Sequence, residues 1–369
     1  MNSDGRKINV LITSAAPEAK GGVVALHQVL FGRAVRQNID FLVFPVSSPA
    51  PFQERWMHRM FRVVARMKQF RSLLKKTPSI EIVHINTSYD VRGAARDALF
   101  LLISLLSGKK IVLQIHSAIG ACRHPEVVEW IARRVFPLSD KIMVFSREDR
   151  KKIEPLVPRG KVEIFPNAVI VGEPAATDRN FKEDLSIPEE GKIVLFASRL
   201  IVEKGVYVLL ESIPLVVRKD KNVHFLIAGD GPEKVRMEEI CRQKGIQGNV
   251  RFTGHITGDR LSEAFSCADL FAFPTYHSEG MPMVILEALA AGLPIVSTPF
   301  GAIPDILKDG INGFLIEPNA PERLAEKILL VLHREELKKR MKTANLQLAK
   351  NEFDREIVLS RLERLYASL

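Results

Sequence analysis

Two doubly wound α/β domains are what the sequence predicts, on three observations. The chain has 369 residues, more than one ordinary core holds and enough for two domains of about 150–180 residues each. Short apolar runs alternate with longer stretches of helical periodicity, the signature of parallel sheets with crossover helices. The runs fall into two sets, and each set ends its runs near Gly, His, Ser, Asn or Pro, at the sheet edge where open α/β folds place ligands.

In the first half the strand runs are 8–12, 40–46, 82–85, 110–115 and 141–145, with 162–165 as a sixth. In the second they are 192–197, 223–228, 250–253, 270–273, 294–297 and 314–316. A polar stretch from Gly172 to Asn180 separates the sets and reads as a hinge. The expected division is a first domain over 1–172, a linker over 173–190, a second domain over 191–352 and a closing segment over 353–369. In that last segment Ile357, Leu359, Leu362, Leu365 and Tyr366 fall at helical spacing.

Composition narrows the class. At 46% hydrophobic and 26% charged residues the chain is globular rather than disordered. Cys122, Cys241 and Cys267 stand far apart with no C-x-x-C pair, which argues for a reducing compartment and against a disulfide framework or a cysteine metal site. Residues 8–12 read as a buried strand, with no signal-peptide core before them. The longest apolar run, 98–106, falls well short of the roughly 20 residues that span a bilayer, so a buried helix is expected there. Charge is uneven: residues 1–175 hold 27 Lys and Arg against 15 Asp and Glu, and the remainder 26 against 28. The first half is therefore expected to face something anionic, with nucleic acid, an anionic membrane surface and a phosphorylated acceptor all open on charge alone.

The strongest constellation lies in 269–292. Residues 269–274 read as a strand ending in Pro274, a polar loop follows, and Pro282 and Gly292 bracket a helix with start and stop signals. Glu279 sits in the loop and Glu287 inside the helix, flanked by Leu286, Ala288 and Leu289. Free N–H groups at such a helix start suit phosphate or sugar oxygens, and a buried carboxylate requires partners that ribose hydroxyls would supply. The plain alternative is a surface loop with a dipole-favoured Glu279 and a solvated Glu287.

This block, Glu279-Gly280-Met281-Pro282 with Glu287, resembles the E-x7-E signature of retaining glycosyltransferases of family 4, glycosyl transferases group 1, which have the two-domain GT-B fold. Other segments agree in order and spacing. Arg199-Leu200 with Glu203-Lys204-Gly205 resembles the family's G-R-L…E-K-G, Gly229-Asp230-Gly231-Pro232 its G-D-G-P turn, 252–254 its F-x-G, and 309–315 its D-G-x-N-G-x-L. The likeness is tight over 192–330 and looser over 8–170. His84-Ile85-Asn86-Thr87 is similar to the H-x-N-T of bacterial polysaccharide-assembly members. The chain departs from the pattern in three places: Gly301-Ala302-Ile303-Pro304-Asp305 stands for G-G-x-P-E, Asn167-Ala168-Val169-Ile170 for N-G-V-D, and His116-Ser117 for H-G.

The resemblance implies two Rossmann-like domains facing across a cleft, acceptor side first and nucleotide-sugar side second, with the closing helix returning to the first domain. It implies retaining transfer of a sugar from a UDP- or GDP-linked donor to a hydroxyl of a glycan or lipid-linked acceptor at the bacterial cell surface. Arg199 and Lys204 would hold the diphosphate and stabilise its departing charge. Glu287 would grip the ribose, Glu279 a hydroxyl of the transferred sugar, and the backbone at Gly229, Gly280, Met281 and Met283 would face sugar or phosphate. Gly21-Gly22 looks like the family's glycine-rich loop, where the lack of a Cβ lets backbone meet ligand. His116 falls where the family's donor-sugar histidine does, and Asn86, Arg92 and Arg96 would line the acceptor side. No Asp or Glu in the first-half motifs offers itself as a glycosidase-type nucleophile; the resemblance implies instead a same-face substitution in which the diphosphate's own oxygen helps deprotonate the incoming hydroxyl. No D-x-D tripeptide occurs, so neither metal nor cofactor is expected.

Between 52 and 76, Phe52, Trp56, Met60, Val63, Met67, Phe70 and Leu74 recur at spacings of three and four, with Arg55, Arg59, Arg62 and Arg66 beside them. Two readings stand: a core-facing helix with a solvated basic face, or a surface helix resting on anionic lipid. The expected location is cytoplasmic, at the periphery of the inner membrane. Nucleic acid is not expected as a partner, because no recognised fold or aromatic platform accompanies the basic excess. The rival functions are a GT-B-fold nucleotide-sugar epimerase or hydrolase and a catalytically degenerate scaffold subunit. The presence of Glu279, Glu287, Arg199 and Lys204 together argues against the scaffold.

Overall fold

The computed structural model describes residues 7–14, 29–30, 38–46, 56–117, 119, 124–172, 181–277 and 280–369. The chain divides into two compact units, Met1–Ala168 with Arg355–Leu369, and Val169–Asp354.

The first unit is built on six strands: β1 Ile8–Ser14, β2 Ile39–Pro45, β3 Ile82–Thr87, β4 Lys110–Ile115, β5 Lys141–Val144 and β6 Val162–Ile164. All are parallel, in the order β2-β1-β3-β4-β5-β6. Val83, Ile85, Ile111, Leu113 and Ile115 are fully buried, which explains why these strands read as unbroken apolar runs rather than alternating ones. The order reverses between β1 and β3, so their carboxyl ends form the crevice where such sheets bind ligands.

Helices α1 Trp56–Lys76, α2 Val91–Leu106, α3 Pro125–Arg134 and α4 Arg147–Ile153 belong to this unit. Phe70 of α1 meets Phe44 and Phe100 edge to face, with ring centroids 5.1 and 4.9 Å apart, and so pins α1 and α2 to the sheet. Phe70 and Leu74 are buried and Val63 and Met67 half-buried, while Lys68, Arg71 and Lys75 are exposed. Over its described residues the apolar stripe of α1 therefore faces the core, as the first of the two readings has it. The run 98–106 corrects its expectation. Ala98, Phe100, Leu101 and Ser104 are buried, but Leu99, Leu102 and Leu106 are exposed, Leu106 by 87%. A helix can bury only the face that meets the sheet, and a run apolar at nearly every position hides which face that is.

The second unit repeats the scheme with β7 Lys192–Ala197, β8 Val223–Ala228, β9 Val250–Gly254, β10 Leu270–Phe273, β11 Ile295–Ser297 and β12 Gly313–Leu315. They are parallel in the order β12-β11-β10-β7-β8-β9, with the reversal between β7 and β10. Its helices are α5 Phe181–Asp184, α6 Val206–Val217, α7 Lys234–Gln243, α8 Asp259–Cys267, α9 Met283–Ala290, α10 Ile303–Ile306, α11 Pro321–Leu332 and α12 Glu335–Leu348. The segment expected as a linker, 173–190, is from Phe181 onward part of this unit. Phe181 and Ile187 are buried, and Arg251 donates to the carbonyls of Leu185 and Ser186.

Past Asp354 the chain re-enters the first unit as α13 Arg355–Ala367, burying Val358, Leu359, Leu362, Leu365 and Tyr366. Strand ranges expected from sequence match the observed ones to within two residues at either end. Among the described residues no helix is long and apolar enough to cross a membrane.

Candidate functional site

In the second unit four loops converge at the carboxyl edge of the sheet around the β7–β10 reversal. Gly205 lies at φ 76°, and a Cβ there would fall 1.9 Å from the Pro274 carbonyl oxygen. Gly229 lies at φ 149°, and a Cβ would sit 1.8 Å from the Ser198 oxygen. Only glycine permits these approaches, which draw the loops after β7, β8 and β10 together. The Ser198 and Leu200 N–H groups donate to Ala228 and Asp230 at 3.0 and 2.9 Å, and those of Tyr276 and His277 donate to Glu203 at 3.0 and 3.1 Å.

This frame carries the expected donor residues. Arg199 is exposed and Lys204 buried. The Lys204 ammonium stands 5.8 Å from the Phe273 ring centroid. Burial, then the neighbouring Arg199, pushes its pKa down to about 8 against the opposing pull of Glu203. Gly280 is buried and its carbonyl accepts from the Ala302 N–H at 3.1 Å. Met281 and Met283 are buried at the start of α9. Glu287, one turn into that helix, is half-buried as a residue, yet its Oε2 is sealed from solvent with no hydrogen-bond partner among the described residues. Burial alone pushes its pKa up to about 7. Ala302, where the family pattern has glycine, is fully buried at φ −81°, an ordinary right-handed geometry. The left-handed turn falls on Gly301 at φ 58°. Glu279 lies outside the described residues, as do Gly21, Gly22 and Cys122.

In the first unit the β1–β3 reversal gathers a second polar group. The Asn86 N–H donates to Thr13 Oγ1 at 2.9 Å, Asn86 Nδ2 to the Thr13 carbonyl at 2.6 Å, and His116 Nε2 lies 2.6 Å from Asn86 Oδ1. His84 is sandwiched between Tyr366 Oη at 2.5 Å and Gln114 Oε1 at 3.0 Å. Arg96 is engaged by Asp97 in a two-pronged pair of 2.7 and 2.9 Å. Arg92 is exposed at the start of α2, whose first N–H groups are already capped by Asp90 at 3.0 Å. Sequence reasoning missed the Thr13–Asn86 and His84–Tyr366 pairings, because partners 73 and 282 residues apart meet only through the folded sheet. It also missed Tyr207, whose hydroxyl donates to the Glu233 carboxylate beneath the Arg236 guanidinium. Cys241 and Cys267 are free, and burial pushes both thiols up to about 11, so neither is a nucleophile near neutral pH.

Residues 177–347 match the family profile described as glycosyl transferases group 1. Among curated relatives, an uncharacterized glycosyltransferase of Methanocaldococcus jannaschii is 32% identical over 146 residues, 40% of this chain and 37% of that one. The phosphatidyl-myo-inositol mannosyltransferase of Mycobacterium leprae is 31% identical, over 49% of this chain and 48% of its own. The alpha-D-kanosaminyltransferase of Streptomyces kanamyceticus is 23% identical over 70% of each. The chain thus spans less than half of the first two relatives. Among solved structures, Anabaena Alr3699/HepE in complex with UDP-glucose superposes with a TM-score of 0.76 at 17% identity, over 98% of this chain and all of that one. The sucrose-phosphate synthase of Thermosynechococcus elongatus gives 0.75 at 16%, over 98% and 99%. At such identities the shared property is the fold, GT-B with two Rossmann-like units.

Proposed function

We propose that this chain, whose residues 177–347 form a glycosyl transferases group 1 domain, is a retaining transferase moving a sugar from a nucleotide diphosphate sugar to an acceptor hydroxyl. Glu287 carries the reading: a carboxylate oxygen sealed without a partner among the described residues is costly unless something donates to it, and the paired hydroxyls of a ribose would. A diphosphate lying towards Lys204 and Arg199 then meets two cations on the neighbouring loop of the same sheet edge. As the bond from the anomeric carbon to the diphosphate breaks, the leaving oxygen gains negative charge, which these fixed cations stabilise. One of its oxygens takes the proton of the incoming hydroxyl, whose oxygen bonds the same face of the anomeric carbon, so the configuration is retained. No metal is required in this reading, because side chains supply the positive charge. The UDP-glucose held by Alr3699/HepE favours a UDP-linked donor over a GDP-linked one.

A thermal-shift panel of UDP, GDP, ADP and their sugars, with and without EDTA, tests this. The preferred ligand at 100 times its Kd adds about 2.7 kcal/mol of stability, EDTA leaves the shift unchanged, and the shift is lost in Glu287→Ala. If no nucleotide diphosphate raises the melting temperature, the proposal fails. Free sugar released at a rate indifferent to every acceptor indicates a hydrolase instead.

The acceptor is a glycan or lipid-linked glycan at an anionic membrane. The outer face of α1 presents Lys68, Arg71 and Lys75 with no acidic residue anywhere in the helix. Beside it packs α2, with α3 against α2 in turn, and these two helices expose Leu99, Leu102, Leu106 and Trp130. Cations flanking exposed apolar side chains fit an anionic bilayer, whereas two copies of such a face would repel each other.

A further inference from the structure

We infer that Asn86 is a positioning residue that fixes the protonation pattern of His116, and not an acceptor contact; what His116 then does rests on the transferase reading above. Asn86 is 8% exposed and its orientation is decided by chemistry. Its side chain approaches the Thr13 carbonyl at 2.6 Å on one side and His116 Nε2 at 2.6 Å on the other. A carbonyl oxygen can only accept, so the amide nitrogen faces Thr13 and the amide oxygen faces the histidine. That oxygen also can only accept, so Nε2 carries the hydrogen. In the neutral ring Nδ1 is then the acceptor.

The frame around this pair is rigid. The Asn86 N–H is held by Thr13 Oγ1 at 2.9 Å. The His116 N–H donates to the Thr87 carbonyl at 2.8 Å, extending the β3–β4 ladder one step past the strand end. Phe145 packs against the imidazole edge to face, its centroid 5.3 Å away and its plane at 68°. Asn86 in β3 is paired with Gln114 of β4, so His116, two residues on, keeps the same side of the sheet as Gln114. The imidazole is thus held in one orientation and one tautomer, with the hydrogen on Nε2 and Nδ1 as the accepting nitrogen.

A double-mutant cycle of Asn86→Ala and His116→Ala in the full chain tests this, together with the titration of His116 followed by NMR. Asn86→Ala is expected to lower kcat on the order of 10- to 100-fold, the usual cost of losing a residue that orients a functional histidine, with the acceptor KM unchanged. In the His116→Ala background it should cost nothing further, because its effect passes through that ring. An equal further loss there, or a loss confined to acceptor KM, overturns the proposal in favour of direct acceptor contact. Asn86→Asp, which keeps the side-chain shape but gives up the donor to the Thr13 carbonyl, places a carboxylate on Nε2–H and raises the proton affinity of His116 on the order of 10-fold or more. An unmoved titration overturns the proposal with no substrate present. Failure of the wild-type chain to turn over any nucleotide sugar sinks the transferase reading alone and leaves the titration to decide the role of Asn86.

Discussion

The two units share an architecture and part company along the carboxyl edges of their sheets. Each is a six-stranded parallel sheet with one reversal of strand order, and each gathers polar groups beside that reversal. In the first unit those groups are spent on one another: Thr13 with Asn86, Asn86 with His116, His84 with Gln114 and Tyr366, Arg96 with Asp97. In the second, Glu287 keeps a sealed oxygen without a partner among the described residues, Arg199 is exposed, and burial has weakened the hold of Lys204 on its proton. Buried charge left uncompensated costs several kcal/mol. The first edge offsets that cost internally; the second leaves the Glu287 oxygen sealed without a partner among the described residues, the gap that the proposed nucleotide sugar would fill.

The largest effect follows from removing the buried cation. Lys204→Ala should lower turnover on the order of 10²–10³-fold at saturating donor, the usual cost of one group aimed at developing charge. Initial rates within a few-fold of the wild type would mean that the second edge is not charged for a diphosphate, and the contrast between the units would dissolve.

A smaller, opposite effect on stability is expected from Glu287→Gln. A carboxyl whose folded pKa is raised to about 7 contributes its stability below the ordinary carboxylate range and loses it as pH rises through 7. The ligand-free wild type should therefore lose melting temperature relative to the variant between pH 5 and 8, by roughly 2–4 °C for each 1 kcal/mol. The preferred nucleotide should close the gap for the wild type only. Parallel melting curves across that range would show that Glu287 is already satisfied in the free protein.

The smallest effect separates the units by charge. Residues 1–175 hold all of the basic excess, and each cation near an anionic surface contributes about 1 kcal/mol. The wild type should float with anionic vesicles at low salt and release as salt rises. Replacing Lys68, Arg71 and Lys75 by Gln should weaken flotation stepwise without changing the nucleotide thermal shift. Absence of wild-type flotation at low salt removes the membrane from the proposal.

Much of the fold was legible because doubly buried parallel strands leave uninterrupted apolar runs such as 192–197 and 223–228, and because Pro282 and Gly292 punctuate α9. Glu287 was legible for a related reason: a carboxylate among Leu286, Ala288 and Leu289 has to be buried or misplaced. Facing was not legible where the pattern has no polar side to orient it, so 98–106 read as wholly buried while Leu99, Leu102 and Leu106 reach solvent. Nor was pairing. Asn86 and His116 read as two separate strand-end residues, since the bond between them is created by the register of β3 on β4. Arg96 read as an available cation, although its partner, Asp97, is the next residue.

The return of α13 to the first unit has a consequence in time. His84 is buried against Tyr366, 282 residues later, so that one of its hydrogen-bond partners does not exist until the whole second unit has been synthesised, whereas Gln114 does. At about 5–20 residues per second, the first sheet waits on the order of a quarter of a minute to a minute with that face uncovered. Until then the surface that Tyr366 covers on His84 of β3 and Phe41 of β2 has no cover from α13, so the unit whose synthesis begins first is completed last.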